Sequence, residues 1–192
     1  LQVVSDLLSL QARRTSDAVS IAALSEGKDR LMSMVLLHKK LYLDDSSDEV
    51  NLKEYLSDLL RYLLGDMTAG ENRIQINTDI HPIHITSEVA VPFGLIMNEV
   101  VTNIRKHAFN ENTHNREMSL VCHQDEGSLV LTVRDNGIGF VANKGDVNKS
   151  GKGFGLELID MLVSQLEGTW SIDGVSGGGT NFRLQFPLAL KN

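Results

Sequence analysis

Apolar positions recur at helical spacing along three stretches of the chain's second half and its centre. Leu95, Ile96, Val100, Ile104 and Ala108 lie close to 3.6 residues apart, which predicts a helix carrying Asn98–Phe109. Leu52, Tyr55, Leu56, Leu59, Leu60 and Leu63 form a second stripe, over Leu52–Leu64. Asn51 with Glu54 supplies its capping box. A third helix is predicted over Leu156–Leu166, ending near Gly168. Alternation predicts strands at Ile74–Thr78, Met118–His123, Leu129–Arg134, Thr169–Ile172 and Asn181–Phe186. Ile83–Ile85 is a short apolar segment, and Pro92 is placed in the first turn of the helix that follows, where proline is tolerated. Apolar helices beside alternating strands predict an α+β fold, a two-layer α/β sandwich.

The first residues follow a different pattern. Leu1, Val4, Leu7, Leu8 and Gln11 make a helical stripe with no N-cap before it, so that helix is expected to start upstream. Arg13–Asp17 reads as a turn, with Ser16 or Asp17 as cap. A second helix carries Leu24, Leu31, Met34, Val35, Leu37, His38 and Leu41 on one broad face. The two form a helical hairpin. Its face is wider than one partner helix needs, which suits two hairpins pairing into a four-helix bundle, or a neighbouring domain docked on the hairpin. The acidic run Asp44–Glu49 marks the boundary. Residues 1–45 are then the hairpin and residues 50–192 the α/β domain.

Composition narrows the function. The chain of 192 residues suits one domain with a small appendage. A net charge of −7 argues against nucleic acid or an anionic membrane as the main partner. The single cysteine, Cys122, sits in an alternating run and reads as a packed strand residue. One cysteine excludes an internal disulfide framework and suits a reducing, cytoplasmic setting. No apolar run is long enough to span a membrane. The chain opens without methionine and reads as part of something longer.

Polar residues interrupt the helix at Asn98–Phe109 in a telling way. Glu99, Asn103 and Lys106 with His107 share a neighbouring face, because residues three and four apart stack. A carboxylate, an amide and an ammonium in one row are costly to bury without polar partners. A nucleotide triphosphate with its magnesium ion would satisfy all three: the Asn103 oxygen suits a hard cation and Lys106 suits phosphate. From this stretch alone a solvated helix face fits as well. The strand Leu129–Arg134, however, ends in Asp135-Asn-Gly137-Ile-Gly139. A carboxylate just past a strand end can accept from the exocyclic amine of adenine, and the two glycines let a ring approach closely. A bare turn would not need the second glycine. A glycine-rich run follows, Gly145–Gly155, with the composition of a mobile lid before a helix N-terminus that can bind anions. It is not a Walker A loop. Five residues separate Gly145 from Gly151-Lys152, and Gly153 stands where Ser or Thr is required.

These elements resemble those of a known family. Glu99-x-x-x-Asn103 with Lys106 resembles the N box of the Bergerat (GHKL) ATP-binding fold. Asp135-x-Gly137-x-Gly139 resembles its G1 box and Gly151-x-Gly153-x-Gly155-Leu156 its G2 box. Gly177-Gly-Gly-Thr180 resembles its closing glycine-threonine element. The segments LQVVSDLLSLQARR and SMVLLHKKLY are similar to the dimerisation and phosphoacceptor region of HisKA_2/HWE-type sensor histidine kinases. The resemblance implies a kinase that binds ATP and Mg²⁺, transfers the γ-phosphate to a histidine, and passes it to an aspartate of a response-regulator receiver domain. It implies a homodimer through the hairpin and a sensor domain upstream. The acceptor histidine of the family lies before the stretch matching Leu1, so it is expected outside this chain, and His38 is not expected to be the acceptor. His81, His84, His114 and His123 show no metal-ligand spacing.

Residue by residue, the resemblance implies that Asp135 bonds the adenine amino group. Gly137 and Gly139 shape the base pocket, and Thr180 supports Asp135 through water. His107 stands where relatives stack a ring on adenine. Asn103 ligates Mg²⁺, while Lys106 and the turn Gly151, Gly153, Gly155 and Leu156 hold phosphates. Glu99 is the candidate base or orienting residue. Two other classes compete: a Bergerat-fold serine kinase of the anti-sigma-factor type, which the hairpin argues against, and a non-catalytic phosphotransfer or scaffold protein, which the intact Asp135, Asn103 and glycines argue against.

Overall fold

A computed structural model describes residues 10–11, 14–43, 49–67, 73–111, 113–139 and 154–188. The first expected helix therefore lies outside the described residues, apart from Leu10 and Gln11, which are helical. The same is true of most of the Gly145–Gly155 run, including Gly151 and Gly153.

Helix α1 (Ala18–Leu43) starts at Asp17, whose carboxylate accepts from the Ser20 backbone N–H at 2.9 Å. His38 falls within α1, but its side chain is not among those described. Strand β1 (Glu49–Asn51) leads directly into α2 (Leu52–Leu64), with Asn51 accepting from the Glu54 N–H at 3.3 Å. Strands β2 (Gln75–Ile80) and β3 (His84–Thr86) precede α3 (Ser87–Asn103), which continues as a π-helical segment, Ile104–Ala108. Strands β4 (Glu117–Asp125) and β5 (Ser128–Asp135) follow, then α4 (Phe154–Gln165), β6 (Thr169–Gly174) and β7 (Thr180–Pro187).

Two expectations need correcting. β1 lies at the end of the stretch read as a linker and pairs antiparallel with β3, Val50 opposite Ile85. Three residues are too few to show alternation. Pro92 is not in the first turn of α3, because extended Thr86 turns the chain into helix at Ser87 and Pro92 is the sixth helical residue. It thus removes one main-chain bond from the second turn.

The main sheet runs β2-β4-β5-β7-β6, with β2 parallel to β4 and every other pair antiparallel. Register stacks its inward residues into rows. Cys122, Leu131 and Leu184 form one row, and Leu120, Val133 and Phe182 the next. All six are almost fully buried against a core that α2, α3 and α4 complete. Each such side chain contributes roughly 1.5–3 kcal/mol relative to exposure. Burial pushes the Cys122 thiol up to about 12.

Helix α1 packs against the α/β domain along part of its length. Its Asp29, Ser33 and Val35 are buried, and Leu36 packs on the core. Tyr55 of α2 reaches over Gly94 of α3, and its hydroxyl donates to the Ser33 carbonyl at 3.4 Å. A Cβ at Gly94 would stand 1.9 Å from that hydroxyl oxygen, so this three-helix junction requires glycine. Of the broad α1 face, Val35 is buried in this way. Among the described residues no helix is long and apolar enough to cross a membrane.

Candidate nucleotide-binding site

The next row of the sheet replaces hydrocarbon with polar groups. Met118, Asp135 and Thr180 are partners across β4, β5 and β7. Inward alternation along β5 therefore ends on a carboxylate, Asp135, that is only 7% exposed. Burial raises its pKa, against hydrogen bonds from the Gly137 N–H and from the side chain and backbone of Thr180. The Gly137 N–H lies 2.9 Å from Oδ1. Thr180 bonds Asp135, because register sets the two opposite each other. The loops around the carboxylate are closely apposed. A Cβ at Gly137 would stand 2.0 Å from the Ala108 carbonyl oxygen, and one at Gly179, where φ is +98°, 2.1 Å from the Asp135 carbonyl oxygen.

Asp135 opens into a cavity of about 300 Å³. Its walls include Asn103, His107, Asp135, Gly139, Gly155, Leu156 and Thr180 from the expected set, with Val133, Ile159, Ile172 and Phe182 supplying apolar surface. Val100, Asn103, Ile104, His107 and Ala108 line one side at helical spacing. The π-helical turn widens the helix at this point, as such turns often do at functional sites. Gly137 is not among the lining residues; it lies against Ala108, which is. Gly151 and Gly153 belong to the undescribed residues. The donor set suits a purine nucleotide with Mg²⁺: apolar walls for a ring, a buried carboxylate for its amine, and the Asn103 amide oxygen for a hard cation.

Glu99 and Lys106 do not line this cavity. Glu99 is 5% exposed and is held by a residue the sequence reading missed. Arg30 of α1 donates from Nε to Oε1 at 2.6 Å and from a terminal nitrogen to Oε2 at 3.0 Å. Asn98 Nδ2 adds a contact to Oε1 at 3.3 Å. Hydrogen bonding to Glu99 raises the Arg30 pKa, against the effect of its own burial. Lys106 Nζ pairs with Glu26, and Arg105 with Asp29 at 2.7 Å. A sequence signal existed for these contacts. Glu26, Asp29 and Arg30, three and four apart, interrupt the apolar stripe of α1 between Leu24 and Leu31.

Residues 88–190, more than half the chain, match the family described as histidine kinase-, DNA gyrase B-, and HSP90-like ATPase. The chain belongs to that family. Residues 1–67 match a second family, HisKA_2, described as histidine kinase. That order of regions is the histidine-kinase type within the ATPase family. The sensor histidine kinase PdtaS of Mycolicibacterium smegmatis is 29% identical over 197 aligned residues, covering 100% of this chain and 38% of the relative. PdtaS of Mycobacterium tuberculosis is 29% identical over 189 residues, covering 98% and 37%. The chain thus spans about two-fifths of the length of these relatives. The fold matches the histidine kinase domain of the Erythrobacter litoralis EL346 blue-light activated histidine kinase, with a TM-score of 0.75 at 20% identity. That match covers 98% of this chain and 96% of the other.

Proposed function

We propose that this chain is the catalytic region and part of the dimerisation region of a cytoplasmic sensor histidine kinase. Residues 1–45 belong to the dimerisation hairpin and residues 50–192 bind MgATP. The observation that carries the reading is Asp135: a buried carboxylate at the inward end of β5, facing an apolar cavity of about 300 Å³ that Asn103 and His107 also line.

Asp135 accepts from the adenine amino group and so selects the base. Gly137 and Gly139 leave room for the ring, and His107 covers one side of it. Asn103 holds Mg²⁺, which neutralises charge on the phosphates when bound. Lys106 and the segment Gly151, Gly153, Gly155 and Leu156 hold the phosphate chain. Phosphoryl transfer asks mainly for positioning and charge neutralisation. Glu99, one turn before Asn103, orients the incoming imidazole. A nitrogen of that ring bonds to the γ-phosphorus, the bond to the bridging oxygen breaks, and ADP leaves. The acceptor histidine lies upstream of Leu1. From it the phosphoryl group passes to an aspartate of a response-regulator receiver domain. A homodimer through the hairpin and a sensor domain upstream complete the expected assembly.

The test is transfer between two chains. This chain is mixed with a longer version that restores the upstream helix and carries Asp135→Asn, together with labelled ATP. Acid-labile, base-stable label on the longer version is the expected result. Acid-stable label would assign a serine kinase, and free phosphate without protein label an ATPase.

A further inference from the structure

Helix α1 meets the N-box segment through three charge pairs, two with the acid on α1 and one with the base on α1. Glu26 pairs with Lys106, Asp29 with Arg105 and Arg30 with Glu99. Each pair has a further tie. Arg30 lies 3.7 Å from Glu26, and its guanidinium stands 4.8 Å from the ring centre of Phe154, the first residue of α4. Asp29 accepts from the Tyr62 hydroxyl at 3.3 Å, and Arg105 donates to the Leu63 carbonyl at 3.2 Å.

These pairs engage groups that the proposed reaction needs. The Glu26 carboxylate sits on the Lys106 ammonium, where a phosphate oxygen would otherwise sit. Both oxygens of Glu99 already accept from Arg30. In this arrangement Glu99 is committed to α1 rather than to an incoming imidazole. A triphosphate drawn to Lys106 would bring negative charge against Glu26, and like charges at that range repel.

We propose that Glu26, Asp29 and Arg30 form a latch that holds α1 on the catalytic helix and that triphosphate binding opens. The latch rests on the reading of Lys106 as a phosphate ligand. Latch closure and triphosphate binding are antagonistic, and linkage makes the antagonism mutual. The factor by which closure weakens triphosphate binding is the factor by which bound triphosphate weakens closure. Release frees Glu99 and α1 in one step, so the group that orients the imidazole becomes available only when there is a phosphate to transfer.

The test is equilibrium titration of the full chain with the non-hydrolysable analogue AMP-PNP and Mg²⁺, alongside adenosine, which carries no phosphate to reach Lys106. Glu26→Gln and Asp29→Asn are each expected to lower the AMP-PNP Kd by about 5-fold, the lower end of ordinary couplings, and to leave the adenosine Kd unchanged. Asp29 pairs with Arg105, which does not line the cavity, so its variant separates opening of the latch from mere removal of charge beside phosphate. Wild-type AMP-PNP affinity in both variants would overturn the latch and leave the nucleotide site standing. Tightening by Glu26→Gln alone would also overturn it, because Glu26 would then simply repel phosphate. Lys106→Ala examines the underlying reading: lost AMP-PNP affinity with adenosine retained supports it, and unchanged AMP-PNP affinity removes it and the latch together. Melting each variant without nucleotide establishes that it is folded.

Discussion

At Asp135 the inward row of β5 exchanges hydrocarbon for a carboxylate, and burial works against its charge. Its folded pKa lies above the unfolded value of 3.8. The sign follows directly. Stability from such a group is fully present below the unfolded pKa and is lost as pH rises through the folded pKa. Asn in its place keeps an acceptor for the Gly137 N–H and removes the charge. Asp135→Asn is therefore expected to gain melting temperature relative to wild type as pH rises from about 4 to 7, from a starting point lowered by the Thr180 donors its amide cannot satisfy, while losing ATP affinity. Melting curves across that range with parallel nucleotide titrations check both; a difference between variant and wild type that does not change with pH would contradict the account of Asp135. Wild-type ATP affinity should itself weaken as pH falls through the folded pKa. Asp135 was legible in the sequence because alternation and the two following glycines mark it. Arg30 was marked only as a break in the stripe of α1; its partner was not legible, because 69 residues separate it from Glu99 and a charge on an amphipathic helix reads as solvated until the facing helix is known.

Helices and strands were read most reliably where the pattern was long. α2 and the strands β4, β5 and β7 show their periods over enough residues to be placed within a few positions of the observed ends. β1 was too short, and the π-helical turn was illegible because Ile104–Ala108 satisfies an α-helical stripe as well. The crossing of α2 over α3 depends on Gly94, which the sequence does not single out. Ala at this position gains about 1 kcal/mol of helix propensity, but its Cβ would stand 1.9 Å from the Tyr55 hydroxyl oxygen. Overpacking of this kind costs about 1–3 kcal/mol, so Gly94→Ala is expected to destabilise on balance. Adding Tyr55→Phe removes the nearest atom and should recover most of the loss. Denaturant unfolding of the single and double variants measures it, and additive effects would mean that the two residues do not meet.

Over the whole molecule, the α+β class and the order of the boxes were readable from the chain, whereas the docking of α1 onto α3 came from side chains distant in sequence. A ligand that binds only the folded chain stabilises all of it. At 100 times Kd the gain is about 2.7 kcal/mol, or about 5–10 °C in Tm for a chain of this size. MgATP should produce that shift, EDTA should reduce it, and GTP, which lacks the amine Asp135 requires, should give none; an equal shift with GTP would remove Asp135 from base selection.

The sheet order carries one more consequence. β2 and β4 are parallel neighbours, and the chain between them runs through α3, so the N box lies on the crossover connection itself. β7 then inserts between β5 and β6. Contacts across such spans are paid for in loop closure before they return anything. During synthesis the N box leaves the ribosome long before Thr180 does. A nascent chain halted before β7 therefore carries its helix and Asp135 but lacks Thr180, Phe182 and the strand that joins β6 to the sheet. On the proposed reading ATP would be captured only once β7 is in place, so nucleotide would report on finished molecules and could not guide the making of them.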